Sequence, residues 1–571
     1  MDKKTIGLIV ILAVFLLFYF QIMEFLGLYH PTLPKSVSEK QAVVDTTAST
    51  KVNTTSTPAI NKDTLTIATK TLKSIVNIPV DSVKSDTIVV KTNRYRILLT
   101  SYGGGPISIV LKDYYYRDGK PIEMLPHASF ATPEATFSGG AFSTSRIKFV
   151  SSLPPGEYDA TTKELDLVYT YQSPNGGEII KRFHFYPDKY NYDLSFNVNK
   201  VQQLGFERQY NLVWNTPLGV TEPQPELDYR SMQAVAMQSG SREKLDDFNK
   251  NKLNQSLDGN TAWGGLRSKY FAAVMIPKNR EASSVFANGE KTKIPTADNK
   301  TIEKRTITVG LSMPFAGVSH FTDSFTVFVG PLDYTLMSKY KVGLEDILGI
   351  GTTPYVGWII KPFAIAIIWF LPKMYKVIPN YGFVIILFAF LVKIITLPLS
   401  MKSFKSMNAM KTLQPKIDEL KKKYKKNPQA LNSEMMKLYK AHGVNPISGC
   451  LPMLPQMPLF FALFSVFRST ILLRDAPFIW FITDLSRGAT SFMDPYIILV
   501  VIMIIAQFVS QKLTMSTGQQ NKALMYVMPV FMGFIFYKFS AGLVLYWACF
   551  SIFSLMDYFL FKRKNVQVQT T

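Results

Sequence analysis

The chain has 571 residues, of which 47% are apolar, 13% aromatic and only 18% charged, and it carries a formal net charge of +22. That length allows two to four domains, and the low charge fraction points to a membrane protein with a soluble part. Two cysteines (Cys450 and Cys549), scattered histidines and the absence of phosphate-loop and GxSxG motifs leave disulfide scaffolds, metal centres and the common nucleotide and hydrolase chemistries without a basis. Neither a cofactor nor an enzymatic activity is expected.

Residues 1–23 place Lys3 and Lys4 ahead of an apolar stretch from Ile6 to Phe20. The following QIMEFLGLYH offers no small-x-small cleavage site, so the segment reads as an uncleaved signal anchor with its basic end in the cytoplasm. Residues 24–90, rich in Thr, Ser, Lys, Pro and Asn, cannot bury enough surface to order themselves and read as a flexible extracytoplasmic tether.

Over 91–345 the apolar period becomes two. Leu165, Leu167, Tyr169 and Tyr171 alternate, SPNGG makes a turn, IIKRFHFY follows, and Tyr192, Leu194, Phe196 and Val198 alternate again. This predicts a large all-β sandwich whose Tyr and Phe stripes are sheet core.

Beyond it the apolar stretches lengthen. Residues 356–375 are broken by Lys361, Pro362 and Pro372 and read as an interfacial helix on the outer face. Spans are expected at 381–400, 451–472, 495–513, 523–539 and 543–560, ahead of a basic tail at 561–571. With the anchor this makes six spans, both termini cytoplasmic and the β domain outside.

Residues 401–445 hold eleven lysines against Asp418, Glu419 and Glu434, a net charge of +8, which places them in the cytoplasm. Met410, Leu413, Ile417, Leu420 and Tyr424, then Leu431, Met435 and Leu438, recur at helical spacing. Asn427 before Pro428 is a helix start and Gly443 a stop, so the segment reads as a helical hairpin. Its tip carries Lys421, Lys422, Lys423, Lys425 and Lys426. A charge run is ordinarily a solvated face, but this density suggests an acidic partner: anionic lipid or a nucleic-acid-rich partner such as the ribosome, with no specific DNA binding.

Polar residues inside the spans are the candidate site. Lys393 sits in VIILFAFLVKIITLPLS, where a lysine costs roughly 2.5–3.5 kcal/mol to insert. It either snorkels toward the headgroups or faces a water-filled groove. Gln456, Gln507, Ser510 and Gln511 are equally hard to set against lipid tails; each fits a groove or a helix–helix hydrogen bond. Pro452, Pro455 and Pro458 forfeit backbone bonds in one span, tolerable only where protein or water covers the freed carbonyls.

The stretches NYGFVIILFAFLVKIITLPLS, EMMKLYKAHGVNPISGCLPMLPQMPLFFALF, APFIWFITDLS and VMPVFMGFIFYKFSAGLVLYW resemble the YidC/Oxa family of membrane protein insertases, in its Gram-negative form. SYGGGPISIVL, WGGLRSKYFAAVMIP and FVGPLDY are similar to that family's periplasmic β-supersandwich. The resemblance covers essentially the whole chain. It implies five core spans around a hydrophilic groove open to the cytoplasm and to lipid, in the bacterial inner membrane. It also implies a slide for incoming helices, formed by Met457, Pro458 and Phe461 on the third span and Val527 and Phe531 on the fifth. The family's groove residue is usually arginine; Lys393 keeps the charge and loses the planar fork. The implied activity is insertion of nascent membrane proteins, alone or with the Sec translocon. A solute transporter would instead carry an internal repeat and a buried carboxylate relay, and a tethered binding domain would need one anchor only.

Overall fold

The computed structural model describes residues 86–569, apart from 127, 138–139, 207, 296–300, 316, 353–355, 426, 444–452 and 515–521. The expected anchor (1–23), most of the expected tether (24–90), Lys426 and Pro452 lie outside the described residues.

Strands run from Thr87 to Pro331 and, among the described residues, form two sheets. The smaller has five strands in the order Pro121–Glu123, Gly105–Tyr115, Tyr95–Thr100, Thr87–Lys91, Gly156–Asp159, the last pair parallel and the rest antiparallel. The larger has fourteen, and through its centre run Thr301–Pro314, Ala282–Pro295, Lys252–Arg267, Phe271–Pro277, His320–Pro331, Asn191–Asn199, Glu178–Phe185 and Leu165–Gln172. Alternation chooses the inner face: Tyr192, Leu194, Phe196 and Val198 are buried along one strand, and Leu167, Tyr169, Ile179 and Phe183 on its neighbours. The smaller sheet closes over them, Tyr95 donating its hydroxyl to the Asn191 carbonyl at 3.4 Å. Gly103 turns the chain from Tyr95–Thr100 into Gly105–Tyr115 at φ +86°, where a Cβ would sit 2.7 Å from that of Ala131.

A lysine lies inside this core. Lys181 is 1% exposed, and its Nζ donates to Gly103 O at 2.7 Å and Thr144 Oγ1 at 3.2 Å, 5.4 Å from the centre of the Phe149 ring. Burial pushes its ammonium down to about 7, against the pull of Glu134.

Beyond Pro331 the described residues are mainly helical. We label the helices α1 (Gly357–Tyr375), α2 (Tyr381–Thr412), α3 (Gln414–Lys423), α4 (Pro428–Ala441), α5 (Met453–Ser469), α6 (Ile497–Thr514), α7 (Lys522–Phe536) and α8 (Ala541–Gln569). At 1.5 Å per residue α2 is ~48 Å long, well beyond a hydrocarbon core of ~30 Å, so it carries Lys402 and Lys405 out of any bilayer its apolar half crosses. Among the described residues, Gly357–Tyr375 and Tyr381–Met407 are long and apolar enough to cross a membrane. The apolar parts of α6, α7 and α8 are shorter: Ile497–Leu513, Val527–Phe536 and Ala541–Met556. Length and apolarity alone therefore do not give the expected six spans. They also do not separate α1, expected on the outer face, from α2, because its two prolines leave nineteen helical residues continuous.

Arginines join the β domain to the helical region. Arg267 donates to the carbonyls of Ile347 and Leu348, each at 2.8 Å, and burial pushes its guanidinium down to about 9. Arg474, just beyond α5, pairs with Glu222 of the β domain at 2.8 Å, both side chains about 5–6% exposed. It also donates to the carbonyls of Tyr115 and Thr221 at 3.1 and 3.2 Å. Arg117 meets Asp484 at 3.0 Å. These contacts fix the segment between α5 and α6 to the β domain.

Lys181 supplies a test of the sandwich core. Its folded pKa lies below its unfolded value, so the unfolded chain binds more protons between the two, and stability rises with pH there. From about pH 7 to about pH 9, where Arg267 begins to contribute, the β domain's melting free energy should climb with a slope approaching about 1.4 kcal/mol per pH unit. Thermal melts across that window should show the climb, and Lys181→Met should flatten it.

Candidate functional site

α2 presents two faces. Ile385, Ala389, Val392, Lys393, Ser400 and Ser403 are buried at helical spacing, while Phe390, Leu391, Ile394 and Ile395 are exposed. Lys393 is 7% exposed and points away from the Ile395 side, toward α8. Its Nζ donates to Ser554 Oγ at 3.0 Å and lies 4.9 Å from the centre of the Phe550 ring. Ser554 passes its own proton to the Phe550 carbonyl at 2.8 Å, which leaves the hydroxyl oxygen turned to the ammonium. The lysine is thus held inside the helical core, not extended along lipid.

α8 packs against both α2 and α6 and collects the other polar groups. Gln456 of α5 donates to the Tyr546 hydroxyl at 3.3 Å, and its Oε1 is buried with no hydrogen-bond partner among the described residues. Trp547 donates its indole N–H to Gln507 Oε1 of α6, also at 3.3 Å. Lys393, Gln456 and Gln507 are thus each hydrogen-bonded to a residue of α8: Ser554, Tyr546 and Trp547. Ser510 and Gln511 follow Gln507 along α6, half-buried with contacts of their own. None of the three α8 partners stands out in the sequence; a serine, a tyrosine and a tryptophan in an apolar run read as ordinary span residues. Ser551 and Ser554, three apart and both polar, are the one signal that could have found them.

The expected slide residues divide. Met457 and Pro458 are half-buried on α5, and Phe461 is buried, its neighbour Phe460 packed on Phe536 and Trp547 at 5.7 and 5.3 Å. Val527 and Phe531 are exposed on α7, on one face with Val530 and Phe534.

At the other end of α2, Lys422, Lys423 and Lys425 are exposed and Lys421 half-buried, 4.0 Å from Asp418. α3 and α4 hold each other through Leu413, Ile417 and Tyr439, flanked by Met435 and Leu438. Asn427 caps α4 by accepting from Ala430 N at 3.0 Å. The small apolar contact turns these lysines outward.

The segment between α5 and α6 lies across the opposite ends of the helices. Asn380, ahead of α2, donates to Phe478 O at 3.1 Å, and Gly382 leaves no room for a side chain, since its Cβ would fall 2.0 Å from the Phe478 ring. Ala489 donates to Tyr537 O and Ala541 to Arg487 O, at 2.8 and 2.7 Å, covering the turn from α7 to α8. Two carboxylates brace the segment. Asp484 accepts from Arg117 and from Ser486 N and Oγ. Burial works against the charge of Asp494, but Thr490 N and Oγ1, Tyr496 N and Arg487 hold its carboxyl down to about 2.

Two family models match. Residues 87–366 fit the YidC periplasmic domain and residues 373–568 the 60Kd inner membrane protein. A membrane protein insertase YidC of Syntrophus aciditrophicus is 31% identical, over 99% of this chain and 100% of that one. Those of Chlorobium phaeovibrioides (33% identical, 83% of each chain) and Prosthecochloris aestuarii (37%, 66% of this chain and 65% of that one) are similar in turn. Matched end to end across a β domain and a helical core, the chain belongs to the YidC family of membrane protein insertases.

Proposed function

We propose that the chain inserts membrane proteins into the bacterial inner membrane, with both termini and the basic hairpin cytoplasmic and the β domain periplasmic. The observation that carries the mechanism is Lys393, an ammonium buried against α8 in the apolar half of α2. A substrate's polar, often acidic, outward-going tail enters the seam between α2, α5, α6 and α8 from the cytoplasm. Its carboxylates compete with Ser554 for the ammonium, a trade they win because a full opposite charge attracts the ammonium more strongly than a hydroxyl dipole does. Gln456, Gln507, Ser510 and Gln511 offer further polar contacts, so the tail crosses part of the bilayer without facing hydrocarbon.

The substrate's apolar helix leaves along α7 past Val527 and Phe531, with Met457, Pro458 and Phe461 behind. Its burial in lipid yields roughly 25 cal/mol per Å² and drives the step. The membrane potential adds about 2.3 kcal/mol per acidic charge per 100 mV moved outward. No bond is made or broken. Ribosomes or the signal-recognition-particle receptor deliver the chain to the basic tip, anionic lipids lie alongside, and the Sec translocon is a partner for larger substrates.

Purified protein in liposomes, given a small single-span substrate, should insert it without nucleotide; protein-free liposomes that insert it equally well would end the proposal. Within that assay charge should outweigh shape. Lys393→Arg should retain activity, Lys393→Ala should lose about tenfold on acidic-tailed substrates, equal to ~1.4 kcal/mol, and little on neutral ones, and Lys393→Glu should be worse by repulsion. Equal handling of acidic and neutral tails by Lys393→Ala would remove the electrostatic role.

The basic tip is tested separately. Changing Lys421, Lys422, Lys423, Lys425 and Lys426 to Gln should weaken co-sedimentation with ribosomes or receptor at low salt. The variant's binding should also fall less steeply than the parent's as salt rises. Identical salt curves would make the run a solvated face.

A further inference from the structure

The segment between α5 and α6 ends in two bare apolar tips. At the first, Phe478 N donates to Ile482 O and Ile482 N to Ile479 O, both at 2.9 Å, closing a tight turn that exposes Ile479 and Trp480. Trp480 is 92% exposed, and its φ of +43° is a left-handed conformation that a bulky side chain rarely adopts. An edge contact with the neighbouring Phe481 ring at 5.8 Å still leaves the indole exposed in that conformation, which makes the turn a candidate for an outside contact. At the second tip Phe492 is exposed and Met493 is 94% exposed.

Each tip continues a helix face that is already bare. Phe478 makes an edge contact with Phe383 at 5.3 Å, and Phe383 opens the exposed apolar side of α2. Phe492 stacks on Tyr537 at 5.3 Å, which in turn lies 6.0 Å from the exposed Phe534 of α7. Around the tips the segment is polar and fixed: Asp484 and Asp494 brace it, and Arg474–Glu222 and Arg117–Asp484 tie it to the β domain. Apolar tips at the ends of bilayer helices, with an amphipathic indole at the apex, match the chemistry of the headgroup layer.

We propose that this segment is a lipid-surface foot, with Trp480 and Met493 seated in the outer-leaflet interface and the β domain held at a set height above the bilayer through it. The inference rests on the reading of α2 and α7 as membrane helices. Its partner is a lipid surface; a second protein covering the same tips is the alternative that the test distinguishes.

The test uses full-length protein with Cys450→Ser and Cys549→Ser, carrying Trp480→Cys, Met493→Cys or, as a span control, Ile395→Cys. Each cysteine is labelled with an environment-sensitive fluorophore and reconstituted in phosphatidylethanolamine–phosphatidylglycerol vesicles. Quenchers are lipid nitroxides placed near the headgroup or deep in the chain, and aqueous iodide. The foot predicts that positions 480 and 493 are quenched most by the shallow nitroxide and shielded from iodide, while 395 responds to the deep one. Iodide quenching at 480 and 493 with 395 still in lipid overturns the foot alone. Shielding from iodide without lipid quenching assigns the tips to a protein contact and also overturns it. Iodide quenching at 395 overturns the membrane reading of α2, and the foot with it.

Discussion

An ammonium inside an apolar helix has to find polar company, and that requirement arranges the helical core. Lys393 turns from the bare face of α2 to α8 and takes the Ser554 hydroxyl. Once α8 is drawn to α2 for that contact, its preceding turns meet α5 and α6, and Tyr546 and Trp547 take up Gln456 and Gln507. Neutral hydrogen bonds of this kind contribute only about 1 kcal/mol each in membranes. They define a seam of modest polar contacts along α8.

The β domain answers a different constraint. Its sandwich is held by aromatic burial, yet its link to the helices is made of arginines. Arg474 has one carboxylate and two carbonyls of the β domain around it, and Arg267 reaches two carbonyls on the exit path toward α1. A planar guanidinium holds its acceptors at fixed angles in one plane, which a rotating ammonium does not. Such joints are directional, so they fix orientation as well as proximity. At Lys393 the reverse holds: a single point charge on a flexible stem suits a partner that changes.

Much of this was legible in sequence where the signal is local. The period-two alternation of Tyr192, Leu194, Phe196 and Val198 marked a strand and its buried side, and Asn427–Pro428 marked the start of α4. Sheet order was not legible: the parallel pairing of Thr87–Lys91 with Gly156–Asp159 joins segments far apart in the chain, and nothing in either names the other. The candidate site divides along the same line. Lys393, Gln456 and Gln507 stood out because polar groups are costly in lipid. Their partners did not, because Tyr546, Trp547 and Ser554 are tolerated there with or without a role. Phe461 looked like its apolar neighbours, and only packing puts it inside while Val527 and Phe531 remain outside. The segment between α5 and α6 held a family motif and no hint that Asp484 and Asp494 brace it.

The central claim is that one passenger divides between two surfaces: its polar tail at Lys393 and Ser554, its apolar helix at α7. Photo-cross-linking from a ribosome-stalled single-span nascent chain tests this most directly, with the reactive residue placed either in the tail or in the apolar segment. The account predicts tail cross-links to α2 and α8 near Lys393 and Ser554, and apolar-segment cross-links to α7 near Val527 and Phe531. Tail cross-links confined to lipid, or both probes reacting at the same helix, would contradict it.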